Sequence, residues 1–308
     1  MKKLVSIVVP IYNEVSMIDE IHDRIADVCK AIPDYNYEIV FFDDGSTDGT
    51  RDALARLCTQ NEDTKCVFYS RNFGYLKSTF YCLQQAKGDC AIIIHADLQN
   101  PPELIPQFIE KWEQGAQVVQ GVKTKSRENR VMFFLRSVFY FLMIQIFGVK
   151  IKAHATEFEL VDKKFIDILN RIHVKNPFLR GIINEYASKI DYVYYTQDQR
   201  KKGKSKFSIN KYYDFALCGI TQYSRRLPRC AIVLSLIGLA ASILEFLFCF
   251  LPNVAEVDAM GNSILLRCIL AVLWLVVLYI SVLFEYMIAA LDNTAEKPLI
   301  IEESRINY

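Results

Sequence analysis

Two stretches near the C-terminus, Ala231 to Leu251 and Cys268 to Ala290, are long, almost uncharged and rich in Leu, Ile and Val. At about 1.5 Å of rise per helical residue, either can cross a hydrocarbon core of roughly 30 Å. A chain that carries them is expected to join a water-facing domain to a hairpin of two transmembrane helices. The connector Pro252 to Ser263 holds Glu256 and Asp258 but neither Lys nor Arg, whereas Arg225, Arg226 and Arg229 precede the first stretch and Lys297 and Arg305 follow the second. This asymmetry assigns both termini to the cytoplasm. Glu245 and Glu285 lie within or at the end of the spans, where an acid normally faces a partner helix or the interface, so the pair points to a homo-oligomer. Met1 to Pro10 has two lysines and a short apolar run without the apolar region and cleavage site of a signal peptide. The expected organisation is a cytoplasmic domain over residues 1–228, the hairpin over 229–292 and a cytoplasmic tail over 293–308 in an integral membrane protein.

Upstream, short β-branched runs alternate with helical patterns. Val5 to Pro10, Tyr37 to Phe42, Cys66 to Tyr69 and Ala91 to His95 read as strands, with Val15 to Ala31 and Thr50 to Thr59 as intervening helices. That alternation predicts β-α-β units and a mostly parallel, Rossmann-like α/β sheet. Ligands of such sheets bind beyond the carboxyl ends of the strands, which is where the polar clusters fall: Tyr12-Asn13-Glu14, Asp43-Asp44-Gly45-Ser46, Ser70-Arg71-Asn72 and His95-Ala96-Asp97. Val131 to Phe147 is aromatic and aliphatic with one charge, Arg136, and suits a helix lying on a bilayer. A second interfacial helix is expected over 208–224, inside a segment that mixes Lys and Arg with Phe207, Tyr212, Tyr213, Phe215 and Tyr223. Lys and Arg number 36 against 35 Asp and Glu, so no global charge argues for nucleic acid. The nine cysteines are scattered without ligand spacing and read as reduced, mostly buried residues.

Asp43 and Asp44 end a buried strand and enter a Gly-Ser-Thr-Asp-Gly-Thr turn, where Asp48 or Thr50 can cap the next helix. A carboxylate held there can accept hydrogen bonds from a base N–H or ribose hydroxyls; an ordinary polar turn is the other reading of the stretch alone. His95 and Asp97 share one side of an extended chain and can both point into the crevice. A diphosphate leaving group needs its charge neutralised, commonly by a hard cation on a carboxylate, and Asp97 is the first choice for that ligand.

Taken in order, Val8-Val9-Pro10-Ile11-Tyr12-Asn13-Glu14, Asp43-Asp44-Gly45-Ser46-Thr47-Asp48, Ser70-Arg71-Asn72-Phe73-Gly74, Ala96-Asp97-Leu98-Gln99-Asn100-Pro101-Pro102-Glu103 and Gly203-Lys204-Ser205-Lys206-Phe207, followed by two spans and Glu285-Tyr286, resemble glycosyltransferase family 2 enzymes of the polyprenyl-phosphate branch. That branch includes dolichol-phosphate mannose synthases and bactoprenol glucosyltransferases. The resemblance implies a GT-A type domain, a Mg2+ or Mn2+ ion held by Asp97, with His95 as a second candidate ligand, and inversion at the anomeric carbon. It implies a nucleotide-sugar site at Pro10, Tyr12, Glu14, Asp43, Asp44, Arg71, His95 and Asp97, with a UDP-sugar favoured, and a polyprenyl phosphate acceptor, undecaprenyl phosphate in a bacterium. Asp97 and Glu157 are the expected catalytic residues.

Two positions depart from the family pattern. His95 stands where the first Asp of an Asp-x-Asp motif is usual, and Glu157-Phe158-Glu159-Leu160 stands where an Asp followed by Phe-Arg-Leu is more common. Glu157 falls on that Asp and can orient the sugar or the phosphate, or be a surface loop carboxylate. Arg127, Arg130 and Arg136, with Arg200, Lys204, Ser205 and Lys206, can clamp the acceptor phosphate and departing diphosphate, or attract lipid headgroups. Transfer to another lipid or a glycan, and a membrane scaffold without activity, are the competing readings.

Overall fold

The computed structural model describes residues 2–126, 137–149, 151–197, 217–221, 223–224, 226, 233–234, 237–238, 240, 258–294 and 298–308; in the helix 258–294 the described side chains fall between Ile269 and Ala290. Within these, eight strands form one sheet: β1 (Leu4–Ile11), β2 (Asn36–Asp43), β3 (Thr64–Tyr69), β4 (Cys90–Ile93), β5 (Val118–Ser126), β6 (Ala155–Asp162), β7 (Ile190–Gln197) and β8 (Glu302–Ile306), in the spatial order β7-β5-β6-β4-β1-β2-β3-β8. The neighbours β3-β2-β1-β4 are parallel, β6 and β8 run against their neighbours, and β5 pairs parallel with β7. This is the mostly parallel α/β sheet that the alternating runs predict.

Central strands buried on both faces are apolar at nearly every position, and β1 shows why. Val5, Ile7, Val9 and Ile11 enter one core, while Val8 enters the other. The first core is closed by α1 (Ile18–Lys30), α2 (Thr50–Gln60) and α4 (Ile105–Glu113) through Ile21, Ile25, Leu54, Leu57, Phe108 and Trp112. The second is closed by α3 (Tyr75–Gln85), α5 (Lys163–Leu169) and α6 (Leu179–Tyr186) through Phe80, Leu83, Phe165, Leu169 and Ile182. The α2 helix has Gly49 at its cap position, with a left-handed φ of 89° and no side-chain cap bond there, while Asp48 accepts the Thr50 N–H at 3.1 Å.

A third, smaller core joins Tyr140, Met143, Val149, Ile151 and Phe178. It lies under the described half of the expected interfacial helix, a helical turn over 137–141 that continues as a π-turn, Leu142–Ile146. Val138, Phe141, Leu142 and Ile146 remain exposed on its other side. Of the second expected interfacial helix, the described part begins at Leu217.

The expected first span lies almost wholly outside the described residues; the second falls inside α7 (Asp258–Thr294). Among the described residues no helix is long and apolar enough to cross a membrane. Residues 298–308, expected to form a tail, instead complete the sheet: β8 pairs antiparallel with β3, and Ile300 is buried in the second core. An uncovered β3 would present a row of unpaired backbone groups, which β8 satisfies.

The loops at the carboxyl edge are packed backbone to backbone. Gly45 has φ of 71°, and a Cβ there would lie 2.5 Å from the Arg71 carbonyl carbon and 2.7 Å from the Asn72 nitrogen. Only glycine meets both conditions. Gly45→Ala is therefore expected to destabilise the protein by about 2 kcal/mol or more and to lower its apparent Tm in a thermal unfolding scan; an unchanged Tm would contradict this close approach.

Candidate active site

In the sheet order, β1 leads on one side to β2 and β3 and on the other to β4, so the chain reverses its direction of winding between β1 and β4. A crevice opens at the carboxyl ends of strands at such a switch. The loops after β1 and β2 are zipped together across it. The Asn13 N–H donates to Ser46 Oγ at 2.8 Å, Asn13 Oδ1 accepts from the Thr47 N–H at 2.7 Å, and the Glu14 N–H donates to Thr50 Oγ1 at 3.1 Å. Asn13 has φ of 52°, a left-handed conformation that an asparagine tolerates better than most side chains. Pro10 lies in β1 beside Phe42, and Tyr12 is exposed at the mouth.

Asp43 is fully buried and already engaged. It accepts from the Ser46 N–H at 3.2 Å and from Arg51 Nε at 3.1 Å. Burial pushes its carboxyl above the usual range, and the Ser46 and Arg51 contacts oppose that rise without cancelling it. Asp44 turns the other way and accepts from the Phe73 and Gly74 N–H groups at 2.7 and 3.0 Å, fixing the loop after β3. Arg71 is exposed, its guanidinium carbon 4.5 Å from the Phe73 ring centroid. The expected donor residues thus line one edge, but Asp43 and Asp44 also hold the loops that form it.

On the other side of the switch, β4 ends at Ile93 and the chain runs on through His95 to Asp97. The β6 strand is antiparallel to β4 with Ile93 opposite Glu159. Two residues further along that register Glu157 comes opposite His95, which is how a residue 62 positions away in sequence reaches the crevice. Glu157 is 4% exposed, so it is a buried strand residue and not a loop carboxylate. Arg180 of α6 lies 3.6 Å from it and donates from Nη1 to the Tyr140 hydroxyl at 3.1 Å. The Tyr75 hydroxyl, at the start of α3, is 3.1 Å from His95 Nε2. Burial, and after it the charge of Glu157, pushes the Tyr75 phenol well up.

Burial lowers the His95 pKa, outweighing the neighbouring acids Asp97 and Glu157, while Lys123 and Arg180 add to the fall. The ring is therefore neutral at neutral pH. Asp97 Oδ1 accepts the Gln99 N–H at 3.2 Å, and between them Leu98 sits at φ 55° with its side chain buried. A non-glycine residue held in the left-handed region costs about 1 kcal/mol or more and is commonly kept at functional sites. Asn100 secures the far end of this loop, accepting from the Tyr195 hydroxyl at 2.7 Å.

Among the described residues no group of three or more His, Cys, Asp or Glu side chains is arranged to hold a metal by itself. One carboxylate, Asp97, beside one neutral imidazole, His95, does suit a Mg2+-like cation that takes its remaining oxygens from a substrate diphosphate and water. Arg127, Arg130, Arg136, Arg200, Lys204, Ser205 and Lys206 lie outside the described residues. Sequence reasoning missed Tyr75, Tyr140, Lys123 and Arg180, each of which sits in an unremarkable stretch and enters only through the fold. Glu159 is buried beside Glu157, with Gln120 Nε2 donating to it at 3.1 Å.

Residues 6–205 match the family model described as Glycosyl transferase family 2. An uncharacterized glycosyltransferase of Bacillus subtilis is 33% identical over 96% of this chain and 92% of its own length. The bactoprenol glucosyl transferase of Shigella phage SfV is 33% identical over 79% of this chain and 78% of its own, and a prophage bactoprenol glucosyl transferase homolog of Escherichia coli is 30% identical over 96% of each. Among solved structures, the glucosyl-3-phosphoglycerate synthase of Mycobacterium tuberculosis, in complex with Mn2+, UDP-glucose and phosphoglyceric acid, superposes with a TM-score of 0.51 at 15% identity over 71% of this chain and 78% of that one. That last likeness concerns the GT-A-like fold.

Burial pushes the Glu159 carboxyl up to about 8, the Gln120 and Arg180 contacts opposing and the charge of Glu157 adding to it. A carboxyl raised above its unfolded value binds its proton more tightly in the folded state. Its stabilising contribution is complete below an ordinary glutamate pKa of about 4.3 and is lost as pH rises towards 8. Glu159→Gln removes this loss. At pH 8.5 the variant should unfold at least about 4 °C above the parent, since 1 kcal/mol moves Tm by about 2–4 °C at this size, and the gap should close towards pH 5. Parallel Tm curves from pH 5 to 8.5 would rule out a buried, proton-retaining Glu159.

Proposed function

The chain belongs to Glycosyl transferase family 2, and from that premise we propose that it moves a sugar from a nucleotide-sugar donor, with a UDP-sugar favoured, onto a polyprenyl phosphate at the cytoplasmic face of a membrane. The donor and chemistry halves rest on one observation: His95 and Asp97 follow β4 across the switch from the Tyr12–Glu14 and Asp43–Ser46 loops, with Glu157 and Arg180 buried alongside. The bactoprenol glucosyl transferase relatives support the lipid acceptor.

Three features support a membrane setting. Phe141, Leu142 and Ile146 are exposed beside the small third core, and Leu273, Val276, Leu278, Ile280, Leu283, Phe284, Met287 and Ile288 are exposed along α7. The two regions are joined, because the Tyr286 hydroxyl donates to the Ser224 carbonyl at 2.6 Å and Ser224 Oγ donates to the Phe147 carbonyl at 2.6 Å. The chain leaves the sheet after β7 and returns to it as β8, so any excursion through a bilayer between them makes an even number of crossings. A two-helix hairpin over 229–292 meets that condition, with the domain and both termini cytoplasmic.

In the reaction an oxygen of the lipid phosphate, anionic near neutral pH, attacks the anomeric carbon as the nucleoside diphosphate departs, inverting that centre. No strong base is required, and orientation with leaving-group stabilisation should dominate. Asp97, with His95 beside it, would hold a Mg2+ or Mn2+ ion whose charge offsets that of the diphosphate. Glu157, its carboxylate set against Arg180, orients the sugar or acceptor phosphate. The loops through Tyr12, Glu14, Asp43, Asp44 and Arg71 hold the nucleotide, while Arg127, Arg130, Arg136, Arg200, Lys204, Ser205 and Lys206 receive the acceptor phosphate and diphosphate.

The test is incubation of the detergent-purified full chain with Mn2+, undecaprenyl phosphate and a panel of UDP- and GDP-sugars, with mass spectrometry of the lipid. A lipid-linked sugar is expected, and Asp97→Asn should cut its formation by at least about 100-fold without moving Tm. Nucleotide release without lipid product would indicate another acceptor. No consumption of any donor would sink the enzymatic reading.

A further inference from the structure

The Arg51 guanidinium lies behind the nucleotide side of the crevice and binds groups from three strands. Its Nε donates to Asp43 Oδ2 of β2 at 3.1 Å, and Nη2 donates to the Tyr69 carbonyl of β3 at 3.0 Å and to Glu303 Oε2 of β8 at 2.7 Å. Its guanidinium carbon stands 5.1 Å from the Phe68 ring centroid. Asp43 is fully buried in this arrangement, whereas Glu303 is half exposed.

The β8 strand carrying Glu303 is itself clasped to the domain. The Tyr81 hydroxyl donates to Glu302 at 2.7 Å, Arg305 reaches Gln85 at 2.8 Å, and Asn307 Nδ2 donates to the Cys58 carbonyl at 2.7 Å. The Tyr308 hydroxyl donates to the Gln85 carbonyl. Asp43 in turn holds the Ser46 N–H, and Ser46 Oγ accepts from Asn13 of the β1 loop. A continuous set of contacts therefore runs from the segment beyond α7 to both loops on the nucleotide side.

We infer that Glu303 and Arg51 are positioning residues for the donor: Glu303, through Arg51, sets the orientation of the Asp43 carboxylate, so the nucleotide half of the site is complete only when the strand beyond the long apolar helix is docked. The inference rests on the donor reading of Asp43. An arginine suits the position because its rigid planar fork presents separated donors at fixed angles, which the compact ammonium of a lysine does not. The exposed Arg51–Glu303 contact adds little stability by itself; its effect is on where the guanidinium, and therefore Asp43, is held.

Two readouts on the full chain test this: the Kd of UDP or GDP in Mn2+, and amide hydrogen exchange of residues 43–48 without nucleotide. Glu303→Gln should weaken nucleotide binding by about 3-fold and Arg51→Lys by about 10-fold, with the double variant no worse than Arg51→Lys because the two act through one path. Both should speed exchange at 43–48, while turnover at saturating donor stays within about twofold. Tyr81→Phe, which removes one contact of β8 on the side away from Arg51 and leaves the strand paired with β3, should leave nucleotide affinity unchanged. Parental affinity and exchange in Glu303→Gln and Arg51→Lys would overturn the inference, as would an equal loss in Tyr81→Phe. If the parent binds neither nucleotide but exchange at 43–48 still rises, the donor reading of the site fails and the coupling stands.

Discussion

Parallel strands β3, β2, β1 and β4 all end on one edge of the sheet, and β6, running against β4, begins on that edge. This geometry decides what the site can contain. A parallel neighbour beside β4 would have carried its own carboxyl end there, preceded by apolar strand interior. The antiparallel β6 instead brings the residues of its first turn-side half, Glu157 and Glu159, against the exit of β4. Strand alternation then puts both on the face covered by α3 and α6, where Tyr75 and Arg180 are.

Burial of so many polar groups is costly unless they are paired. Glu157 meets Arg180, His95 meets Tyr75, and Glu159 meets Gln120. Charge is limited further by protonation: His95 is neutral because burial lowers its pKa, and Glu159 keeps its proton up to about 8. Asp97, only partly buried, remains the carboxylate facing the crevice from this group. The substitution of a neutral imidazole for the acid usual at position 95 leaves a one-carboxylate site, which suits a cation that draws its other oxygens from a substrate.

The first half of this architecture was legible because it is local. Strands expected at Val5 to Pro10 and Tyr37 to Phe42 are found at Leu4–Ile11 and Asn36–Asp43, since apolar runs ended by Tyr-Asn-Glu and Asp-Asp-Gly-Ser leave few alternatives. Arg180 was not legible: Leu179 to Tyr186 reads as an ordinary amphipathic helix, and its partner comes from a strand whose direction the sequence does not state. Glu157 stood out by resemblance while its burial did not, because a loop and an inserted antiparallel strand are both compatible with Thr156-Glu157-Phe158-Glu159. Glu302 to Ile306 carries three charged residues among five and resembles a tail, since an edge strand buries little and needs no apolar alternation.

The position of β8 bears on the apolar part of the chain as strongly as hydropathy does. An edge strand can be supplied by any nearby segment with free backbone groups, so pairing alone would be exchangeable. The side-chain contacts are not: Asn307, at φ 58°, reaches the carbonyls of Cys58 and Thr64, and Tyr308 packs in the second core beneath Lys87 and Arg305. These fix the register of the last residues against α2 and α3. The chain is tied to the same sheet at β7 before α7 and at β8 after it. The C-terminal end of the long helix, at Thr294, therefore stands eight positions before Glu302, the first residue of the strand that also carries Glu303.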